Sequence, residues 1–461
     1  MRSVFRGPGA PRACISVACL IVVMALAGCG GGSSSHGGQP GVAALTTVTP
    51  TLATNVFTAF LQSSSLADLQ TSPRLANRVL ALEDRGFVRV LDDSGATPVS
   101  VLDLQLDPAG ALPQGAAGSS LTVSNGTTAL VAASGLGHEA VYVFDPTSAQ
   151  SAADVTKLDL NASAVTLPAG ALNSVGQSVA SPMSTTFTAS AVVAGSKIFI
   201  ATSNLDQSFN LNPGTVLAFD YDPKTRAATN ESVVFTSGYD PTRLTTWTSP
   251  LGVPAVLCVN AGIGSVGSGA STIDVIDPVR GVLVLTIPLG AVNAGGAIAI
   301  TPDSRRGFVG SQALDQVFEL DLSNLDQQLA NPSPATDATR FVQAIALPGT
   351  GSLHFISGVA ISSSGRYLYA LDFNESLLSV FDLALGAGKA ALVGTITGFQ
   401  RSGNPTTFVG NASLLAVRPG APSVSFSGPS VFVGTINLAA ADRTFSPSVS
   451  AALDGVSFDH N

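Results

Sequence analysis

The sequence predicts an all-β fold, a β-propeller of seven blades with about four antiparallel strands each, and three observations carry that expectation. A short strand ending in an acidic or amide residue recurs seven times along the 461 residues. A second β run precedes every copy. No long stretch carries the 3.6-residue apolar period of an amphipathic helix.

The recurring strands are 88–92, 141–145, 216–220, 273–277, 317–321, 378–382 and 431–437. The runs before them are 78–82, 128–132, 197–201, 255–259, 306–310, 366–370 and 423–426. A further strand and tight turn come earlier still, clearest at 297–305 and 359–366. A fourth strand follows, as at 281–287 and 341–347. Each run is rich in Val, Ile and Phe and bounded by Gly, Pro, Asp or Ser, the pattern of strands and turns. Three or four strands per unit, repeated about seven times, fit radial blades better than a sandwich, and closure removes long free edges. The propeller is expected over 76–461, with 42–75 either an N-terminal extension or the source of a ring-closing strand.

The N-terminus reads differently. Arg2, Arg6 and Arg12 precede an apolar run at 15–27, which is too short to cross a bilayer as a stable helix but right for the core of a secretory signal. The run ends in Leu26-Ala27-Gly28-Cys29, which resembles the lipobox of bacterial lipoproteins. That resemblance implies a signal peptide at 1–28, lipidation of Cys29 with added acyl chains such as palmitate, and a protein held in the cell envelope. Gly30 in place of Asp favours the outer over the inner membrane under the lipoprotein sorting rule. Residues 29–41 have the Gly/Ser composition of a flexible tether.

Three of the 21 basic residues leave with that leader and none of the 30 acidic ones, so the net charge moves from −9 to −12. That balance disfavours nucleic acid and anionic lipid as partners, because both need a basic footprint. Charged residues are only 11% of the chain, which points to a neutral, hydroxyl-rich surface. Cys14 and Cys19 lie in the leader and Cys29 is alkylated, leaving Cys258 alone in an apolar strand. It is expected to be a buried, inert thiol, with no intramolecular disulfide to add stability.

The segments 304–321 and 365–382 resemble the YVTN-type propeller repeat of the lactonase-like superfamily, in which a strand, a short polar loop and a V-x-V-I-D strand follow one another. The resemblance is good over 296–398 and weaker elsewhere. Asn437 and the loose spacing before Asp220 depart from it. It implies a fold and not an activity, since that superfamily holds binding proteins, surface-layer proteins and enzymes.

Strands alternate direction within a blade, so the loops between strands two and three share a face with the loops joining blades. The long loops 161–185, 203–213, 261–271 and 400–407 fall on that face, where binding is expected. One long loop, 323–340, lies on the other. His138, Glu139 and His354 fall on the elaborated face, as do Glu83, Asp84, Arg85, Asp315, Asn374 and Glu375. These nine residues are the candidate binding face around the channel mouth. No two potential ligands keep a metal-site spacing, and no metal or cofactor is expected.

The run from Gly262 to Gly267 matches G-x-G-x-x-G, but a strand follows it where a dinucleotide site needs a helix. No nucleophile elbow, zinc-protease or Walker motif is present. Trp247, the single tryptophan, is expected to pack against a neighbouring blade, with sugar stacking the alternative. The preferred functional reading is a non-enzymatic binding or scaffold platform for a protein or small polar ligand, anchored to the membrane by lipid. The alternatives are a lactonase-like hydrolase or isomerase with a site at the channel mouth, and an accessory subunit of an envelope assembly complex.

Overall fold

In the computed structural model, residues 66–396 are described except 73, 76–77, 84, 93–98, 108, 110–111, 113–115, 136, 264–268, 291, 331–337, 348–354, 363 and 373–376, together with six short strands outside that span. The fold is an all-β β-propeller. Six four-stranded antiparallel blades follow one another through 66–396. The first is Leu66–Thr71, Arg78–Glu83, Phe87–Asp92 and Val99–Gln105. The second is Ala117–Ser124, Thr128–Ser134, Ala140–Phe144 and Thr156–Asp159. The third is Thr188–Ala194, Lys197–Thr202, Thr215–Asp222 and Ala227–Phe235.

The fourth blade is Pro241–Thr248, Pro254–Asn260, Ser271–Asp277 and Val282–Gly290. The fifth is Ala294–Ile300, Arg306–Ser311, Gln316–Asp321 and Val342–Ala346. The sixth is Ile356–Ile361, Tyr367–Asp372, Leu377–Asp382 and Ala391–Ile396. Beyond it, Leu414–Val417, Ser423–Ser427, Val433–Asn437 and Gly455–Ser457 pair in a further sheet. Leu66–Thr71, inside the segment 42–75, is the innermost strand of the first blade, so that blade begins before residue 76. Thr47–Val48 and Leu52–Ala53 add in parallel to the outer edges of the sixth blade and the further sheet.

The blades hold together because neither face of any one of them can stay in water. Leu80, Leu82, Val88 and Val90 of the first blade form one buried cluster with Leu121, Val131, Tyr142 and Phe144 of the second. Equivalent clusters fill the gaps between second and third, third and fourth, fourth and fifth, and fifth and sixth blades. Alternation along a strand sends Leu80 and Leu82 to one neighbour and Val79 and Ala81 to the opposite side. Burial of each such aliphatic side chain stabilises by about 1.5–3 kcal/mol.

Turns follow the sequence. Asn125 and Gly126 link the first two strands of the second blade with φ of 52° and 72°, the pair of left-handed residues that a two-residue hairpin requires. The long loop after Asp321 opens as a helix, Leu322–Ala330, which buries Leu322 and Leu325 against the fourth and fifth blades. Trp247 is buried in the fourth blade's innermost strand, and its Nε1 donates to the Ser304 carbonyl of the fifth at 2.9 Å. The ring packs against the neighbouring blade, and no indole face is left for a sugar.

Candidate functional site

The innermost strands neighbour one another in succession around the ring. In all six blades the pairing of innermost with second strand slips near its start, between Leu66 and Asp68, Gly118 and Ser120, Thr188 and Ser190, Pro241 and Arg243, Gly295 and Ala299, and Ile356 and Gly358. Such a bulge re-aims the residues beside it. Asp68, Ser120, Ser190, Arg243 and Gly358 therefore occupy one level of the ring, paired with Leu82, Ala132, Ala201, Val259 and Leu371.

At that level Arg243 donates from Nη1 to Asp68 Oδ2 at 2.6 Å. The fourth and first blades are not neighbours, so the bond crosses the interior of the ring. The Arg243 side chain is 16% exposed and that of Asp68 only 6%. Asp68 also accepts from the amides of Leu69 and Leu121, each at 2.8 Å. Neither charged residue was among the sequence candidates. Their signal is a charge in a strand that lines the axis, and it is invisible until the blades are placed in a ring.

Side chains on these strands also fasten each blade to the next. Ser124 Oγ accepts from Val193 N, Ser190 Oγ from Leu244 N and Thr245 Oγ1 from Ile298 N, at 3.2, 3.1 and 3.2 Å. Asp240, at the entry to the fourth blade, has φ of 56° and is buried. Burial pushes its carboxyl up to about 6, against a lowering hydrogen bond from Ser203. Its Oδ2 has no partner.

Among the described sequence candidates, Glu83 and Glu139 are buried rather than open to a mouth. Glu83 is fully buried and accepts from Arg89 Nε, whose Nη1 reaches Asp103 at 2.9 Å, so it belongs to the interior of the first blade. Its place at the end of a strand, with its side chain facing inward, overrides the loop reading. Glu139 is buried as well. It accepts from the amide and hydroxyl of Thr188, both at 2.7 Å, and from Gly135 N at 3.3 Å. Burial raises its carboxyl above the ordinary value, while those bonds act to lower it.

Arg85 is half-buried and donates from Nη2 to the Leu112 carbonyl. His138 is exposed, with its backbone amide bonded to Gly135 O at 2.8 Å. Asp315 is half-buried, and its carbonyl accepts from Leu347 N at 2.8 Å. Asp84, His354, Asn374, Glu375 and Cys29 lie outside the described residues, as does the loop 400–407. Among the described residues, no three His, Cys, Asp or Glu side chains group in a way that could hold a metal ion. Cys258 is buried in its strand, and burial pushes its thiol well above the ordinary range.

The elaborated face is built rather than loose. In the loop 161–185, Asn173 Oδ1 accepts from Val175 N and Gln177 N at 3.1 and 2.9 Å. In the loop 203–213, Asp206 Oδ1 accepts from Ser208 N and Asn210 N at 2.7 and 2.9 Å. Each loop is thus a small turn braced from within, with Val175 at one tip and Phe209 at the other. The two are tied by Ser174 N to Leu211 O at 2.7 Å and Leu211 N to Ser174 Oγ at 3.0 Å. Tyr239 joins them: its hydroxyl donates to Leu172 O at 3.1 Å, and its main-chain carbonyl accepts from Gly262 N at 3.0 Å. Leu172, Val175, Phe209 and Ile263 are exposed on this joined surface.

No protein-family model matches the chain, and no curated protein matches it. Among solved structures, it is similar to Kuenenia stuttgartiensis hydrazine synthase, with a TM-score of 0.53 and 13% identity over 82% of this chain and 96% of that one. It is also similar to the β-propeller domain of Cps50 (Swd1) from Myceliophteria thermophila, with a TM-score of 0.48 and 13% identity over 80% of this chain and 95% of that one. At 13% identity the likeness to the first of these shows the fold alone.

Proposed function

We propose that the chain is an envelope-anchored lipoprotein whose β-propeller is a non-enzymatic binding or scaffold platform. The observation that carries the reading is the joined surface of the 161–185 and 203–213 loops with Gly262 and Ile263, tied by hydrogen bonds on one face of the ring. A surface already ordered loses little conformational entropy on binding. The polar candidates at the expected mouth support it too, because Glu83 and Glu139 are engaged in contacts within and between blades. A protein or small polar ligand is the expected partner.

Two finer points belong to the same reading. The sheet of Leu414–Val417 and its partners is a seventh blade that closes the ring, supported by the position of Leu414–Val417 against the innermost strands of both the sixth and first blades. The fifth and sixth blades, where the YVTN resemblance is good, carry that repeat. Anchoring rests on Cys29 and the leader before it, with the outer membrane the favoured site. Metabolic labelling with radioactive palmitate tests it: the chain incorporates label and the Cys29→Ser variant does not. Cross-linking in intact envelopes followed by identification of the joined protein tests the platform. Loss of the cross-link when Phe209 is changed to Ser is expected, and an unchanged cross-link pattern counts against this face.

A further inference from the structure

The joined loop surface carries four exposed apolar side chains, with Val175 and Phe209 more than half exposed at braced tips. Exposed apolar side chains gathered on loops that are tied to one another mark a candidate site of interaction. Its surroundings are Asn173, Ser174, Gln177, Ser208 and Asn210. The charge between them, Asp206, turns inward to accept from Ser208, Asn210 and the Asn210 side chain. Apolar tips in a neutral polar collar, on a chain whose net charge is −12 without its leader, suit a surface that offers hydrocarbon without requiring a counter-charge.

The start of the described chain says where such a surface lies. Thr47 and Val48 pair with Thr395 and Ile396, the last residues of the sixth blade's outer strand. That end of the strand leads into a blade-joining connection, so it is on the same face as the apolar tips. A Gly/Ser-rich segment the length of 29–46 has an average reach of roughly 23 Å. An acyl anchor at the start of such a segment keeps the sixth-blade rim of this face within that reach of the bilayer.

We infer that Leu172, Val175, Phe209 and Ile263 form a second, reversible membrane contact, so that the ring lies with its elaborated face against the lipid surface in which its own anchor sits. The inference rests on the lipoprotein reading. Two attachments, one acyl and one interfacial, give a fixed orientation that an acyl chain on a tether cannot give alone.

The test uses the full chain, expressed in bacteria, purified in detergent and reconstituted into net-neutral phosphatidylethanolamine/phosphatidylcholine vesicles with and without brominated acyl chains. Phe209→Trp and Val175→Trp place probes on the two tips, and Val279→Trp places one on the opposite face, where residue 279 is 75% exposed. Vesicle flotation first reports the anchor. In floating protein, Trp emission at 209 and 175 is expected to shift to the blue and to lose intensity in brominated vesicles, while the 279 probe and the buried Trp247 background do not change. Flotation without quenching at either tip overturns the membrane contact and leaves the anchor and the binding platform standing. Equal quenching at all three positions also overturns it, because no face is then preferred. A chain that does not float overturns both readings. Should one tip variant fail to fold, the other gives the same result.

Discussion

Arg243 and Asp68, 175 residues apart in the chain, meet at 2.6 Å inside the ring. Asp68 holds the bulge of the first blade through Leu69 N and the second blade through Leu121 N, while Arg243 brings in the fourth. Removing Asp68 leaves a poorly exposed guanidinium without its counter-ion and takes the carboxylate acceptor from two amides, Leu69 N and Leu121 N. Asp68→Ala is expected to cost about 2–4 kcal/mol, and Arg243→Met less, because Asp68 keeps two amide donors. Chemical denaturation of both variants and of the double variant checks this. The double variant should cost less than the sum of the two.

Glu139 and His138 are neighbours with opposite expectations. Glu139→Ala strands the Thr188 amide at the junction of the second and third blades and is expected to cost about 2–3 kcal/mol. His138→Ala, on an exposed side chain, is expected to stay within about 0.5 kcal/mol. Thermal unfolding of the two variants separates them.

Asp240 gives the stability a pH dependence. Its carboxyl is raised from 3.8 to about 6 in the folded chain. Between those values the folded chain keeps a proton that the unfolded chain releases. This group's contribution is therefore fully present below the lower value, falls as the pH rises through the window, and is lost above 6. The loss is at most about 3 kcal/mol, since each tenfold gain in proton affinity on folding is worth about 1.4 kcal/mol. Asp240→Asn suits the left-handed backbone at this position and removes the titration. Its denaturation midpoint is expected to rise relative to the parent between pH 4 and 7, and parallel pH profiles would refute the assignment.

Trp247 reports on the junction of the fourth and fifth blades. Trp247→Ala is expected to cost about 3–5 kcal/mol, and Trp247→Phe less, through loss of the Ser304 bond and some volume. Native emission should be blue and shift red in one step with unfolding. A red native spectrum would place the indole in water.

Much of the fold is legible in the sequence because each blade repeats a local rule. The strands 216–220, 273–277, 317–321 and 378–382 all fall in third strands, and the runs before them in second strands. Apolar alternation and turn residues act over a few positions, so they survive without tertiary information. The site is less legible. Glu83 and Glu139 stand where a strand meets a loop, and the sequence does not show which way such a carboxylate turns. Arg243 and Asp68 have no motif, because what joins them is the closure of the ring. The apolar tips at 175 and 209 look like ordinary loop residues until the Asn173 and Asp206 turns show them held outward.

The clasps between blades have a consequence for how such a chain can evolve. At each of the junctions Asp68 to Leu121, Ser124 to Val193, Ser190 to Leu244 and Thr245 to Ile298, the side chain accepts and the donor is a main-chain amide. Any amino acid except proline supplies that amide, so the donating position is free to drift. A duplicated unit can diverge almost beyond recognition while still docking onto its predecessor, and copies that share little wording can keep a common grammar.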